Sequence, residues 1–131
     1  MAPVVQRVAL ADVDAVVDLT PERFEEIVAE ALDTLPEWIR ERMENVDVLI
    51  ADAPPPEQPG LLGLYQGVPL TRRGLGYFGV LPDRITLFRA SLLRGPRTET
   101  EVERRVRHTV VHEIAHFFGI SDDRLRELDR Y

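Results

Sequence analysis

Three side chains close to the end of the sequence have the residue types and the spacing needed to bind a metal ion and activate water. His112, Glu113 and His116 occur as His-Glu-Ile-Ala-His, which matches the pattern H-E-x-x-H. On an α-helix, residues four apart are rotated by only about 40° and have Cβ atoms roughly 5–6 Å apart, so both imidazoles can reach one metal ion. Glu113 lies about 60° further round the helix than His116, beside that ion. The pattern therefore predicts two zinc ligands and a general base that takes a proton from zinc-bound water.

A third zinc ligand is expected to be an acid. The chain has no cysteine and only three histidines, and a catalytic zinc usually takes three protein ligands and leaves a fourth position for water. Asp122 is the preferred candidate, because Gly119 lets the chain leave the helix and turn back toward His116. An aspartate directly after Ser121 also has a purely structural explanation, since it stabilises the start of the last helix. The alternatives as ligand are Asp123, Glu127, Asp129 and a more distant acid.

The remaining histidine, His108, precedes His112 by four residues and lies on the same strip of the helix. Three histidines in one straight row diverge too far along the axis to share a tetrahedral centre, so His108 is expected at the surface or on the substrate side. The competing explanation is a metal-free helical domain whose histidines occupy an exposed polar face. Apolar residues on the opposite stripe of the helix favour the metal site: Val106, Val110, Ile114 and Phe117.

The helix that carries the motif is predicted to run from about residue 98 to residue 118. Gly119 follows it, where a residue of left-handed conformation belongs, and a last short helix is predicted to start at Ser121. Three acids occupy the first turns of the long helix, where the helix dipole favours them: Glu99, Glu101 and Glu103.

Two further helices are predicted nearer the start of the chain. Thr20 followed by Pro21 marks the beginning of the first helix, because these residues suit the N-cap and the first helical position. Pro36 ends that helix and opens a short second one. Residues 1–19 show no clear period and are predicted to form an extended arm.

Strands are predicted between these helices and the motif helix. A buried strand is expected over Val46–Ala51, because its residues are apolar and partly β-branched. A half-buried strand is expected over residues 84–89, where polar and apolar residues alternate. Residues 61–70 are apolar but interrupted by glycine, which indicates a bent strand or a packed loop. Helices, a few strands and then helices again indicate an α+β fold.

Charge and composition exclude several classes of function. The 16 basic residues, all arginine, stand against 23 acidic residues, and the net charge of −7 argues against a nucleic-acid partner or an anionic membrane surface. The absence of lysine excludes a Schiff-base lysine and a P-loop lysine. No apolar run has the length of a membrane span or a signal peptide, so the expected location is the cytoplasm.

Five segments of the chain carry a resemblance to a known family. They are Ala31-Leu32-Asp33 before Leu35-Pro36, Asn45-Val46-Asp47-Val48, Leu62-Gly63-Leu64-Tyr65-Gln66-Gly67, the run LPDRITLFR from Leu81 to Arg89, and the run HEIAHFFGISD from His112 to Asp122. The last run is the most specific. With these segments, residues 21–130 resemble the small bacterial zincin-like metallopeptidases.

The resemblance implies a fold and a set of roles. The fold is a minimal zincin, a short mixed β-sheet packed against the H-E-x-x-H helix, within a single domain of residues 20–131 that follows the arm of residues 1–19. His112, His116 and Asp122 are implied as ligands of one zinc ion per chain, and Glu113 as general base. The metzincins place a histidine where Asp122 stands and have a downstream methionine turn; this chain has neither, since its last methionine is Met43.

The residues and the resemblance together predict a zinc-dependent metallopeptidase that acts on a peptide or protein substrate. An extended peptide is expected to pair with the strand at residues 85–88. The alternative is a zinc-stabilised zincin fold that is catalytically weak or inactive and serves as a binding module, because only fifteen residues follow His116. Tyr77, Tyr131 and the arginines are unranked candidates for stabilising the transition state.

Overall fold

The structure is a computed structural model that describes residues 18–73 and 82–128. The first helix, α1 (Pro21–Asp33), is capped by the side chain of Thr20, which accepts a hydrogen bond of 3.0 Å from the Arg23 backbone N–H. Pro36 then precedes the short helix α2 (Glu37–Arg42). Both predicted starts are confirmed. The face of α1 that enters the core consists of Phe24, Ile27, Val28 and Ala31.

Three strands form one mixed sheet: β1 (Val46–Ala51), β2 (Gly63–Gln66) and β3 (Asp83–Phe88). The order in the sheet is β1-β3-β2, with β3 parallel to β1 and antiparallel to β2. A single turn of 3-10 helix, Leu70–Arg72, follows β2, and the short helix α3 (Arg89–Leu93) follows β3. The predicted α+β class with a short mixed sheet is confirmed.

The position of β3 in the sheet corrects one expectation. Ile85 and Leu87 are buried while Arg84 is exposed and Thr86 is half-buried, as the alternation predicts. Both edges of the strand are paired, however, from Asp83 to Phe88 with β1 and over residues 84–87 with β2. The prediction that a peptide pairs along residues 85–88 is therefore wrong, because no backbone edge is free there.

The motif helix is α4 (Glu99–Phe117), which matches the predicted span to within one residue at each end. Thr98 accepts from the backbone N–H of Glu101 (3.1 Å), and the Glu101 carboxylate accepts from the backbone N–H of Arg97 (2.8 Å), which stabilises the first turn. Its apolar face packs against α1 and the sheet. That face consists of Val102, Val106, Val110, Ile114 and Phe117, all 3% exposed or less.

The end of α4 reverses the chain. Gly119 has φ +89°, its N–H donates to the His116 carbonyl (2.9 Å), and the N–H of Ile120 donates to the Ala115 carbonyl (2.9 Å). These two bonds form a Schellman motif, as the glycine predicts. The last helix, α5 (Asp122–Leu128), begins three residues after Gly119.

Two predictions concern residues that the structure does not describe or describes only in part. The division into an arm of residues 1–19 and a domain of residues 20–131 stays a prediction, because residues 1–17 are outside the described part of the chain. Tyr77 and Tyr131 also fall outside it. Within residues 18–73 and 82–128, no helix combines the length and the apolar character that crossing a bilayer requires.

Candidate metal centre

The structure brings His112, His116 and Asp122 together at the end of α4. The two imidazole rings have centroids 5.0 Å apart and planes inclined by 79°. Their Nε2 atoms lie 3.2 Å and 2.9 Å, respectively, from the same oxygen, Oδ1 of Asp122. Among the described residues this is the one group of three potential ligands whose donor atoms all lie within 4.8 Å of one another.

Asp122 reaches the histidines because of the turn at Gly119. The positive φ of Gly119 turns the chain back over the last turn of α4, and Ser121 then caps α5 by accepting from the backbone N–H of Arg124 (3.2 Å). Asp122 is the first residue of α5. Its carboxylate thus lies both at a helix N-terminus, where negative charge is favoured, and against the two imidazoles.

The other candidates for a third ligand are placed differently. Asp123 pairs with Arg126 on its own helix, and its side chain is 86% exposed. His108 is exposed and does not join the group of His112. The side chain of Glu127 and the whole of Asp129 lie outside what the structure describes.

The orientation and tautomer of the His116 ring follow from a backbone contact. Its Nδ1 lies 3.0 Å from the carbonyl oxygen of Ile120. A carbonyl only accepts, so the Nδ1 atom carries a proton, and in the neutral form of the ring the lone pair is on Nε2. That lone pair faces Oδ1 of Asp122 at 2.9 Å. Two acceptors at this distance repel each other unless a proton or a metal ion lies between them.

The donor set fits a zinc ion. Two imidazole nitrogens and one carboxylate oxygen are ligands that zinc takes, and tetrahedral zinc with ligand distances of about 2.0–2.1 Å holds neighbouring donors about 3.3 Å apart. The separations of 3.2 Å and 2.9 Å at Asp122 are close to that value. The contact from His116 to the Ile120 carbonyl is of the kind that orients metal-binding histidines in other proteins.

Glu113 lies beside this group and is buried, with 7% of its surface exposed. Burial raises the pKa of its carboxyl group, and the nearby His112 and His116 oppose that rise. The backbone N–H of Tyr65, in β2, donates a hydrogen bond to the carboxylate and also lowers its pKa. The carboxylate is thus held between α4 and β2, in a position to exchange a proton beside the candidate metal centre.

Close packing of β2 on α4 makes that contact possible. A Cβ atom at Gly63 would lie 2.9 Å from Thr109 Cγ2 and 3.2 Å from Glu113 Cγ, both on α4. It would also lie 3.2 Å from the carbonyl oxygen of Thr86 on β3. Only glycine fits at this position without a shift of the strand or the helix.

An open cleft of about 600 Å³ lies between β2 and the end of α4. Its walls include the candidate ligands, Glu113, the start of β2 and the 3-10 turn that carries Arg72. A second depression of about 280 Å³ adjoins it at Gly63 and His112 and extends past His108 and Thr109. Leu61 and Glu113 also line both depressions.

A buried acid supports the loop that forms one wall of the cleft. Asp83 is 1% exposed and accepts three hydrogen bonds, from the Tyr65 hydroxyl (2.5 Å), the Val68 backbone N–H (3.2 Å) and the Arg73 guanidinium (2.6 Å). Arg73 also lies over the Phe117 ring, 5.0 Å from its centroid. The chain that follows β2 is thereby fixed against α4.

Several of these residues were not singled out in the sequence. Asp83 alternates with Ile85 and Leu87, so the period of two alone places it on the buried face of β3, where an acid needs partners. The Tyr65 contact to Glu113 and the position of Arg72 have no comparable signal. Both arise from how β2 and the following turn pack on α4.

Comparisons with known proteins identify a family and a similar solved structure. A family model described as zincin-like metallopeptidase matches residues 43–131, a span that contains all three strands, α4 and α5. A solved structure of a conserved hypothetical protein from Thermo thermophilus is similar, with 26% sequence identity and a TM-score of 0.53. The similarity covers 74% of this chain and 92% of that chain. None of the curated proteins matches.

Proposed function

The chain belongs to the zincin-like metallopeptidase family, and from this premise we propose that it is a zinc-dependent peptidase with Glu113 as its general base. The substrate class that we propose is a peptide or an unfolded protein segment. The observation that carries the proposal is the convergence of both imidazole Nε2 atoms on Asp122 Oδ1, at 3.2 Å and 2.9 Å, next to a buried glutamate.

In this proposal His112, His116 and Asp122 hold the zinc ion, one per chain. When bound, zinc polarises a carbonyl group and lowers the pKa of a bound water to about 7. Asp122 contributes negative charge, and the bond from His116 Nδ1 to the Ile120 carbonyl keeps the Nε2 lone pair directed inward.

Glu113 accepts the proton of the attacking water and later returns it to the leaving amine. Proton transfer by a positioned side chain contributes about 10²–10⁴-fold to the rate. The Tyr65 N–H restricts where the carboxylate points. Burial in the wall of the cleft keeps bulk water away, and this strengthens its electrostatic interaction with a cation.

The outer edge of β2 is the place where we propose that the substrate backbone lies. The N–H of Phe88 donates to the Leu62 carbonyl (3.0 Å), so the backbone of Leu62 faces β3. Alternation along the strand then directs the backbone groups of Gly63 and Tyr65 outward, consistent with the Tyr65 N–H reaching Glu113. Because Glu113 occupies the Tyr65 N–H, an extended peptide pairs by β-augmentation with the backbone of Gly63 and the carbonyl of Tyr65.

His108 takes a substrate-side role in this arrangement. It lines the smaller depression together with Leu61, Leu62 and Thr109. This depression is suited to a side chain of the substrate near the bond that is cleaved.

The experiment that tests the proposal is cleavage profiling of a random peptide library by the purified, zinc-loaded protein. Zinc-loaded wild type is expected to cleave peptides, and Glu113→Gln is expected to lower the rate about 10²–10⁴-fold while the bound zinc is retained. Glu25→Gln, an exposed residue on α1, is the matched control and is expected to leave cleavage unchanged. Undiminished cleavage by Glu113→Gln would contradict the mechanism.

The same experiment separates the peptidase from a zinc-stabilised binding module. A protein that binds about one zinc per chain but cleaves no peptide in the library supports the module. A purified protein that stays metal-free after zinc addition would contradict both.

A further inference from the structure

Arg72 is the one arginine among the described residues that line the cleft, and the chain has no lysine. It belongs to the 3-10 turn Leu70–Arg72, and Ile120 and Asp122 line the same cleft. Arg72 is exposed, and its guanidinium has no hydrogen bond or ion pair with any described residue. Within this part of the chain, a cation is therefore available in the cleft of a protein whose net charge is −7.

The adjacent arginine shows what a purely structural role looks like at this place. Arg73 is fully engaged, with one donor on Asp83 (2.6 Å), another on the Val68 carbonyl (2.8 Å) and its plane over Phe117. Arg72 has none of these contacts, although it is the next residue along the chain. The fold uses Arg73 to hold the turn, whereas Arg72 is exposed and lines the cleft.

The backbone that carries Arg72 is held firmly on both sides. Its N–H donates to the Pro69 carbonyl (2.9 Å), and the N–H of Arg73 donates to the Leu70 carbonyl (3.2 Å). Thr71 packs against the reversal at the end of α4, so closely that a Cβ at Gly119 would lie 2.7 Å from Thr71 Cγ2. The turn is thus tied to the helix that carries the candidate ligands, and Arg72 is offered to the cleft from a fixed position.

We propose that Arg72 binds a carboxylate of the substrate, so that the protein prefers peptides with an acidic group on this side of the cleft. The inference rests on the proposed function. A guanidinium presents donors in a planar fork that matches both oxygens of a carboxylate. A charge fixed at the wall of a cleft also raises the local concentration of substrates of opposite charge.

Two sources can supply that carboxylate, namely an Asp or Glu side chain or the C-terminus of a short peptide. Both sources present the same group, a carboxylate with two acceptor oxygens. The two sources differ in one property, because amidation of the C-terminus removes only the second.

The test uses four pools of short random peptides. Two pools differ only in having Glu or Gln at one position, and each is prepared as the free acid and as the C-terminal amide. Binding is measured on the zinc-loaded full chain with Glu113→Gln, by retention on immobilised protein and mass spectrometry. Cleavage of the same pools is measured with Glu113 intact. The binding and cleavage measurements are repeated with Arg72→Gln and Arg72→Glu. The control is Arg40→Gln, because Arg40 is an exposed arginine on α2.

An acidic pool is expected to bind about three- to tenfold better than its neutral counterpart, as for a partly exposed charge-assisted hydrogen bond. Arg72→Gln is expected to remove that preference, Arg72→Glu to reverse it toward the neutral pools, and Arg40→Gln to keep it. A difference between Glu and Gln identifies a side chain as the source, and a difference between acid and amide identifies the C-terminus.

Equal binding of all four pools to the protein with Arg72 intact overturns the inference, and so does a preference that persists in Arg72→Gln. Failure of the inference is distinct from failure of the proposed function. Cleavage without acidic preference keeps the peptidase and rejects the role of Arg72. Acidic preference in binding without cleavage keeps the role of Arg72 and rejects the peptidase.

Discussion

The backbone N–H of Tyr65, in the edge strand β2, donates a hydrogen bond to the carboxylate of Glu113, in the helix α4. The hydroxyl of the same tyrosine donates to the buried carboxylate of Asp83 at 2.5 Å. One residue therefore links the candidate general base to the acid that holds the loop after β2. The distance between β2 and α4 must affect both the packing and the proposed chemistry.

Gly63→Ala tests that distance. The added Cβ would lie 2.9 Å from Thr109 Cγ2 and 3.2 Å from Glu113 Cγ, so the strand or the helix must shift. We expect the free energy of unfolding to fall by about 1–3 kcal/mol, as for overpacking elsewhere, and cleavage to fall with it. Chemical denaturation and the library assay measure the two effects.

Gly60→Ala is the matched control for that substitution. Gly60 precedes the same strand, and a Cβ there meets nothing within 4 Å. Its free energy of unfolding is expected to stay within about 0.5 kcal/mol of the wild type. Equal losses in the two variants would show that close packing at Gly63 is not the cause.

Asp83→Asn tests the buried ion pair. Asparagine keeps the shape of the side chain but leaves the Arg73 guanidinium, whose side chain is 15% exposed, without its anion. Because one buried charge then lacks its partner, we expect a loss of about 2–4 kcal/mol in the free energy of unfolding. Asp47→Asn, on the exposed face of β1, should change it by less than about 0.5 kcal/mol. A loss at Asp83 no larger than at Asp47 would contradict this account.

Asp122→Ala and Asp123→Ala distinguish the proposed ligand from its neighbour. Asp122 contacts both imidazoles, whereas Asp123 contacts Arg126. Loss of an outer hydrogen bond to a ligand weakens metal binding by up to about 100-fold. Removal of a direct ligand should weaken zinc binding by at least that factor. The Asp123 variant should bind zinc about as well as the wild type. Competition with a chelator of known affinity gives both constants, and equal losses would reject Asp122 as the ligand.

Glu113→Gln is expected to stabilise the metal-free protein, with a dependence on pH. Burial raises the pKa of this carboxyl above its ordinary value of 4.5, so the folded state keeps the proton to a higher pH than the unfolded state does. The wild type therefore loses stability as pH rises from about 4.5 through the raised pKa, while the glutamine variant has no such loss. Unfolding with denaturant at several pH values, with chelator present, measures the difference.

The stability advantage of Glu113→Gln should thus be small at acidic pH and grow toward neutral pH. The control is Glu25→Gln, whose carboxyl is exposed. A stability difference for Glu113→Gln that is independent of pH, or that shrinks as pH rises, would contradict a buried carboxylate.

Helix α4 and its reversal were predictable from the sequence because their determinants are local. The capping residues at Thr98 and Glu101, the apolar stripe and Gly119 all lie within one continuous segment. The spacing of His112 and His116 then places both imidazoles on one face of the helix without any information from the rest of the chain. Asp122 follows closely enough that a single turn returns it to that face.

The sheet was predictable only in its parts. Val46–Ala51 and the core of β3 have the composition and alternation of strands, but their order depends on pairing between distant segments. The central position of β3, which removes residues 85–88 as a peptide-binding edge, is a result of that pairing.

The sequence by itself determined which ligand types a metal site beside this histidine pair can use, because a chain without cysteine offers no thiolate and leaves mainly nitrogen and oxygen donors. Only the tertiary structure decided what surrounds that group. The Tyr65 N–H at Glu113, the Asp83 and Arg73 pair, and the Arg72 guanidinium at the cleft all join segments that are far apart along the chain. Such contacts depend on how strands and helices pack, and no local pattern of residue types specifies that packing.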